Sequence, residues 1–514
     1  MSKYYAVKSG KKPGIYLTWP ECEAQVKGYP NAIFKSFKNL SDANQFLKSS
    51  PKLNPKQQEA LELLMAGNNA FITGKAGTGK SYLINEFIKT MEQQDKNILV
   101  CAPTGIAAIN IGGVTVHRCF QITLEPQINT KIKQIPLAVR QADIIIIDEI
   151  SMCRIDIFEH IIKIIDKARK YKKIQLIVVG DFCQLPPVTT KNDRQILTTV
   201  YPNYDKGFAF ESPKWKECNF TTINLTTVMR QDDNDFIEHL NMIREGNPKG
   251  ISYFNQQANK TKFSNGITLS AYNGVVNKIN HDELAKLNTP SFIYQAIVTG
   301  EVKPSDKPTA DILELKQGAR VMILINDPDL VNYQNGSLGT VVALNKLCVM
   351  VKMDHNGNII TFDYHEWKIE NYIVETVTID GVKHHQVKKN KIGSFIQIPL
   401  KLAYAITIHK SQGQTYKQVN LIPHSFDCGQ LYVALSRIKT ISGLHLVEKM
   451  QPKDLICHQA VKNFYHPRPI YDKHLVFEQL GKAIYHLDPK IQAQLPIELK
   501  QLINKTKELL NNEQ

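Results

Sequence analysis

Between Leu53 and about Pro213, short continuous apolar runs alternate with amphipathic ones. Ala70-Phe71-Ile72-Thr73, Ile98–Ala102, Ile144–Ile147 and Leu176–Gly180 carry almost no polar position. A strand with one wet face alternates, whereas a strand covered on both faces does not, so these runs predict a parallel sheet between two layers of helix. Tyr82–Ile88 supplies the first of those helices. The same texture starts again near Thr222 and resumes around Leu400. Between the two stretches, Asn356-Gly357 and Asp380-Gly381 each sit inside alternating segments, the signature of two-residue hairpin turns in a small antiparallel unit. The first fifty residues are patterned separately. Tyr4–Trp19 reads as two strands around a Lys/Gly/Pro loop, Glu21–Val26 as a helix, Tyr29–Phe37 as a third strand, and a last helix begins at Asp42. Lys48–Lys52 is a polar linker, and the tail after Pro452 is helical and lysine-rich. The expected boundaries are therefore 1–50, 51–215, 216–314, 315–398, 399–452 and 453–514.

A chain of 514 residues is too long for one core, in keeping with several domains. Its hydrophobic content of 43% and charged content of 22% are those of a globular protein, but a net charge of +15 is the footprint of a polyanion binder. The nine cysteines are odd in number and scattered without a C-x-x-C pair, which argues for reduced thiols inside a cell and against a zinc site. No apolar run approaches the ~18 residues of a membrane span. Met1–Val7 enters a strand-like pattern directly, leaving no expected secretory or transit signal and an intracellular protein without a membrane partner.

The chemistry begins at Gly74-Lys75-Ala76-Gly77-Thr78-Gly79-Lys80-Ser81, which fits G-x-x-x-x-G-K-[ST] between a predicted strand and a predicted helix. Consecutive backbone N–H groups of such a loop curl around phosphate oxygens, and the helix N-terminus adds its positive end. Lys80 would reach the β- and γ-phosphates of ATP, and the Ser81 hydroxyl would ligate Mg2+. Asp148 and Glu149 follow the four isoleucines, at the strand end where α/β sheets bind ligands. Asp148 is the expected Mg2+ ligand through water, and Glu149 the general base for the attacking water. Gln184, in Gly180–Val188, has the chemistry to sense a γ-phosphate. Lys388-Lys389-Asn390-Lys391 and His384-His385 read best as a charged hairpin face, since adjacent residues of a strand point to opposite sides.

This series resembles the Pif-one family of superfamily-one DNA helicases, relatives of the RecD-like helicases, from Leu53 to Val447 in the expected order. The resemblance implies two RecA-like α/β lobes with a small β-barrel inserted in the second, whose turn Leu338-Gly339 matches, preceded by a small α+β domain. Leu53–Gln57 resembles the adenine-reading motif, with Gln57 facing the base. Ala102–Ala108 and Gly112–His117 resemble the strand-contacting motif, implicating Pro103, Thr104, Thr115 and His117. Leu225–Gln231 resembles the motif whose arginine, here Arg230, reaches the γ-phosphate from the second lobe. Ala405–Thr415 resembles the motif that contributes Thr407, His409, Lys410 and Ser411 to the strand and Gly413 to the nucleotide. Tyr432–Arg437 supplies a second arginine, Arg437. The Pro-Phe-Gly-Gly signature of close relatives is absent from Ile155–Gln175.

The first fifty residues resemble the hybrid-binding domain at the N-terminus of eukaryotic-type ribonuclease H, also found in viroplasmin-like proteins. Tyr5, Trp19, Phe34 and Lys35 match its nucleic-acid contacts, although Ser36 stands where a second lysine usually follows. The resemblance implies a monomeric ATP-dependent motor, moving 5′ to 3′ on single-stranded DNA and opening duplex junctions or RNA–DNA hybrids. Its roles would lie in DNA replication, repair, recombination or telomere maintenance. Two other readings stay open on sequence: a translocase that strips proteins without unwinding, and a hybrid-binding module with a vestigial ATPase.

Overall fold

The structure, a computed structural model, describes residues 3–9, 12–26, 33–48, 53–466 and 495–496, apart from residues 124, 129, 133, 203, 232, 328–331 and 380–381. Two units result, Met1–Cys457 and His458–Gln514. In the second, the helix Gln459–Tyr465 is capped by the His458 ring accepting from the Ala460 N–H. The rest of the expected helical tail lies almost entirely outside the described residues.

At the N-terminus, strands β1 (Tyr4–Ser9), β2 (Gly14–Tyr16) and β3 (Ile33–Phe37) form an antiparallel sheet in the order β2-β1-β3. Helices Trp19–Val26 and Leu40–Lys48 complete this part, and Ala6, Val7, Cys22 and Ala43 are its buried positions. Trp19 opens the first helix instead of closing the second strand. Pro20 suits a first helical turn, and the Glu21 carboxylate accepts from the Thr18 N–H at 3.2 Å, which caps the helix one residue before Trp19. The expected start of the third strand, at Tyr29, falls on residues outside those described.

The next sheet holds β4 (Ala70–Gly74), β5 (Ile98–Ala102), β6 (Val114–Thr115), β7 (Ile144–Ile147), β8 (Gln175–Val179) and β9 (Thr221–Leu225). Their order is β6-β5-β7-β8-β4-β9, with every pair parallel. All positions of β4, β7 and β8 are buried, as continuous apolar strands require. Helix Lys80–Glu92 covers the sheet through Leu83, Ile84, Phe87 and Met91, and helix Ile155–Ala168 is buried along most of its length. Because β9 pairs with β4, this lobe extends to Leu225, beyond the boundary at 215 expected from sequence.

The second lobe follows, with helices Asn234–Arg244 and Lys249–Gln257 packed in its core and its sheet starting at β10 (Ile267–Ser270). It is then interrupted by β11 (Ser291–Gln295), β12 (Ile297–Gly300), β13 (Ile312–Lys316), β14 (Arg320–Ile323), β15 (Leu338–Leu344), β16 (Cys348–Met353), β17 (Ile359–Asp363), β18 (His365–Ile379), β19 (Val382–Gln397) and β20 (Leu400–Leu402). It closes with β21 (Ala405–Thr407), β22 (Val419–Leu421) and β23 (Leu444–Leu446), in a parallel sheet ordered β21-β10-β22-β23. The interruption is antiparallel throughout, with orders β17-β16-β15-β14-β20, β12-β19-β18 and β11-β13. It runs from 291 to 402, wider than the expected 315–398. Tyr294 and Leu400 share its core with Val321, Val351 and Phe362, and Leu400–Leu402 pairs with β14. The Asn356-Gly357 turn joins β16 to β17, with Gly357 at φ +73°.

Strands β18 and β19 make a long arm. Glu366–Lys391 and Glu375–Lys388 pair across it at 2.5 Å each, so these lysines line a charged hairpin face as expected. The arm lies on the first lobe. The Tyr372 hydroxyl accepts from the Val100 N–H at 3.0 Å and donates to the Val100 carbonyl at 3.3 Å. Asn97 accepts from the Val387 N–H at 2.9 Å, and Lys389 donates to the Gly112 carbonyl. These contacts fill a gap in the sheet edge, since β6 pairs only with Cys101 and Ala102 of β5.

Candidate ATPase cleft and strand-binding groove

The phosphate loop is tight because its neighbours press on it. Gly77 and Gly79 have φ of +80° and +81°, the left-handed region that favours glycine. A Cβ at Gly77 would lie 2.6 Å from the Arg230 Cβ, and one at Gly79 2.5 Å from the Gln57 Nε2. Lys80 Nζ donates to the carbonyls of Gly74 and Lys75 at 2.8 and 3.1 Å, and Thr78 Oγ1 donates to the Lys75 carbonyl at 2.9 Å. Burial pushes the Lys80 ammonium down, against the pull of Asp181, Glu149 and Asp148.

Asp148 and Glu149 stand at the C-terminal end of β7. An Asp148 oxygen accepts from the Glu149 N–H at 2.9 Å. Glu149 has φ +50°, a left-handed conformation that is strained for a residue with a Cβ and is found disproportionately at functional sites. Burial, then the neighbouring Asp148, pushes its carboxyl up to about 7, opposed by Lys80 and Arg437. Its Oε2 accepts from Gln412 Nε2 of the second lobe at 2.8 Å.

The second lobe delivers both arginines. Met229 donates its N–H to the Gly77 carbonyl at 2.9 Å, seating the 226–231 segment on the phosphate loop, and Arg230 Nη1 donates to the Ser436 carbonyl at 2.9 Å. Arg437 is almost fully buried and donates to the Val433 carbonyl at 2.9 Å and to Ser436 Oγ at 2.6 Å. Burial, then the adjacent Arg230, pushes it down to about 9. Lys80, Glu149, Gln184, Arg230 and Arg437 all line one cavity of about 460 Å3. Buried cations whose charge is disfavoured first by the loss of water are what a polyphosphate relieves, so the site fits a nucleoside triphosphate.

Ser81 and Asp148 line the adjoining cavity, of about 730 Å3. One hydroxyl and one carboxylate, with phosphates beside them, match the partial oxygen shell that Mg2+ takes from protein. Among the described residues, no group of three or more His, Cys, Asp or Glu could hold a metal by itself.

Other candidates are placed differently. Gln57 is buried, with its carbonyl accepting from the Asn54 N–H at 3.1 Å and its amide donating to the Thr78 carbonyl at 3.4 Å. Here it caps the helix Pro55–Met65 and braces the phosphate loop, its amide also reaching Met229 Sδ at 4.0 Å, which leaves one lone pair of its carbonyl oxygen uncommitted. The Ala76 N–H is bonded to the Tyr432 hydroxyl at 2.9 Å.

Along the groove, Thr104, His409, Lys410 and Gly413 line the larger cavity together with Trp367 and Asn335 of the antiparallel unit. Pro103 is half-buried beside Thr104. Thr104 and Thr115 are helix caps whose hydroxyls accept from the N–H groups of Ala107 and Arg118, which leaves each hydroxyl hydrogen to donate. His117 and Thr115 lie outside that cavity's lining, and burial pushes the imidazoles of His117 and His409 down, toward the neutral form. Thr407 and Ser411 are buried. The Ser411 hydroxyl donates to the Ile408 carbonyl at 2.7 Å and is committed to the turn, while Thr407 Oγ1 accepts from the Lys410 N–H at 3.4 Å and is withheld from a strand by burial.

At the N-terminus, Trp19 lies 5.7 Å from Tyr5 and 5.7 Å from Phe34, ring centre to ring centre, and is 42% exposed with Phe34 at 41%. Lys35 is exposed, with its ammonium 5.7 Å from the centre of the Phe37 ring. The three rings form one surface patch.

Three residues of the cleft escaped the sequence reading. Arg244 grips Asp181 with two bonds of 2.8 and 3.1 Å across the lobes, which raises the guanidinium further above its ordinary value. Tyr432 and Gln412, described above, are the others; both lay inside quoted motifs without a role. Gly429, at φ +74°, marks a close approach of the lobes: a Cβ there would lie 2.7 Å from the Cys183 carbonyl oxygen and closer still to that of Gln184. Gly429→Ala therefore strains the backbone by about 1–3 kcal/mol and wedges the lobes apart. Turnover should fall more than ATP affinity, as read by steady-state kinetics and nucleotide titration.

A parallel-sheet lobe carrying a phosphate loop, with a second parallel-sheet lobe bringing arginines to it, defines a two-lobed P-loop ATPase. Residues 52–251 match the PIF1-like helicase family, and residues 3–47 match the Ribonuclease H1 N-terminal domain. The ATP-dependent DNA helicase Pif1 of Campylobacter jejuni is 34% identical over 74% of this chain and 88% of its own length. That of Bdellovibrio bacteriovorus is 31% identical over 80% and 92%. The crystal structure of Bacteroides sp. Pif1 in complex with ADP-AlF4 superposes with a TM-score of 0.71 at 35% identity, covering 81% of this chain and 97% of that one. The chain belongs to the PIF1-like helicase family.

Proposed function

We infer that this protein is an ATP-dependent DNA helicase, which hydrolyses ATP to move along single-stranded DNA and separate duplexes. The observation that carries this reading is the meeting of Lys80, Glu149, Arg230 and Arg437 on one cavity that adjoins the groove of Thr104, His409 and Lys410. Bacteroides Pif1 has been solved with single-stranded DNA, and with ADP-AlF3 and single-stranded DNA together. Arg230 and Arg437 stabilise charge on the γ-phosphoryl group from the second lobe, so their grip tightens as the cleft closes. Ser81 and Asp148 would hold Mg2+, which would neutralise phosphate charge. Thr104, Lys410 and His409 meet the strand backbone, without reading sequence. The inserted antiparallel unit serves as the family's small barrel, the motor acts as a monomer, and its direction is 5′ to 3′.

The test is strand displacement on tailed DNA and tailed RNA–DNA substrates with ATP and Mg2+. Displacement that requires both supports the reading, and chelation of Mg2+ should stop it. Strand-stimulated ATPase without displacement would make the protein a translocase. Affinity for single strands should fall steeply with salt and vary little with sequence.

The N-terminal module is proposed to bind RNA–DNA hybrids through Tyr5, Trp19, Phe34 and Lys35. Exposed rings pack on sugar faces, a lysine neutralises phosphate, and backbone groups can bond 2′-hydroxyls across a shallow groove. A tethered second site raises local concentration without altering the cleft. Removing residues 1–50 should therefore preserve DNA-stimulated ATPase while weakening hybrid binding several-fold, and duplex binding less. Equal losses on both substrates at one fixed salt concentration would reduce the module to a general basic anchor.

A further inference from the structure

We propose that Gln412 is a positioning residue that makes ATP hydrolysis depend on the bound strand: its hydrogen bond restrains Glu149, and occupation of the groove at His409 and Lys410 releases it. This rests on Glu149 being the general base and on the 409–410 turn being a strand contact.

The geometry ties one short turn to both sites. Gln412 Nε2 donates to Glu149 Oε2 at 2.8 Å, across the lobes. The same residue's backbone N–H donates to the His409 carbonyl at 3.2 Å, so its side chain is carried by the 3-10 turn His409–Ser411. On either side of it, the carbonyls of Ser411 and Gln414 accept from Arg437 Nη1 at 3.5 and 3.3 Å. Glu149, Gln412, His409 and Lys410 line one continuous cavity, so a strand that enters it reaches the turn without a relay. The turn also has room to move. Gly413, next to Gln412, has φ +79°, and a Cβ there would meet nothing closer than Asn110 Nδ2 at 3.9 Å.

The chemistry gives the bond a consequence. A base takes its proton through a carboxylate lone pair directed at the attacking water. An amide N–H on Oε2 occupies such a lone pair and fixes the direction in which the carboxylate points. Glu149 itself sits in a strained backbone conformation that the surroundings must hold in place, so loss of the restraint leaves the carboxylate free to turn. A phosphate drawn to Lys410 and His409 pulls the turn toward the strand, and the amide with it.

The full-length protein with Gln412→Ala, and separately Gln412→Leu, is compared with wild type. Steady-state ATP turnover is measured with and without a saturating deoxythymidine oligomer. Both variants should hydrolyse ATP several-fold faster than wild type without the strand and equal it with the strand, so that stimulation collapses. KM for ATP and the Kd for the oligomer should be unchanged. Strand-free turnover that stays the same or falls, with stimulation preserved, overturns the proposal, as does parallel loss of both rates with weakened strand binding. Gln412→Leu keeps the bulk of the side chain, which guards against a packing defect in the alanine variant. Adding Glu149→Gln to Gln412→Ala separates the two premises: the double variant should be as slow as Glu149→Gln alone. If it keeps the faster rate, Glu149 is not the base and the fault lies with that reading.

Discussion

Replacing Lys80 with alanine should abolish ATP hydrolysis and strand displacement together. Its ammonium is the cation of the phosphate loop itself, anchored to the carbonyls of Gly74 and Lys75 and faced by Asp148, Glu149 and Asp181. Without it, those carboxylates remain close to the bound phosphates with less to offset them, and the γ-phosphoryl group loses its nearest counter-charge. Loss of a single preorganised donor costs about 10²–10³-fold in turnover, and here a full charge is lost as well. The helix Lys80–Glu92 starts from backbone geometry that alanine can adopt, so circular dichroism and thermal melting should stay close to wild type. Retention of more than about a tenth of wild-type turnover would place the cleft elsewhere.

Glu149→Gln should separate binding from chemistry. The substitution keeps the side chain's size, while an amide cannot accept the proton of the attacking water. Turnover should drop about 10²–10⁴-fold, the usual contribution of general-base catalysis. Affinity for ATP and for single strands should persist, since Lys80, Arg230 and Arg437 are untouched. Fluorescent-nucleotide titration and single-turnover hydrolysis read the two quantities independently. If nucleotide binding disappeared along with turnover, Glu149 would be a structural or metal-holding residue.

What could be read from the chain depends on how far apart the interacting residues stand. Strands β5 and β7 occupy the residues their apolar runs marked, because a strand buried on both faces writes its identity into consecutive side chains. The phosphate loop and the Asp148-Glu149 pair were legible for the same reason: each is complete within a few residues. Trp19 was misassigned because Pro20 and Glu21 carry the helix start, and a periodicity count gives them no weight. The contacts that join the lobes left no such trace. Tyr432 meets Ala76 at a separation of 356 residues, and nothing local distinguishes its ring from a core tyrosine. Arg244 ends an ordinary amphipathic helix, and only the fold sets it against Asp181. The Thr407 and Ser411 hydroxyls show the converse, a motif whose members divide between lining a groove and shaping the turn beneath it.

The arm on the first lobe bears on how the protein is made. Tyr372 covers the Val100 N–H and carbonyl from 272 residues further along the chain. A ribosome adds about 5–20 residues per second, so the first lobe waits roughly 14–54 s between the emergence of Val100 and that of the ring that covers it. Throughout that interval β5 presents an unpaired stretch of backbone, the kind of edge on which a neighbouring nascent chain can template. Chaperone dependence during synthesis should therefore centre on the period before residues 365–397 leave the exit tunnel. A chain truncated ahead of the arm should be made as an aggregate more readily than the full-length protein.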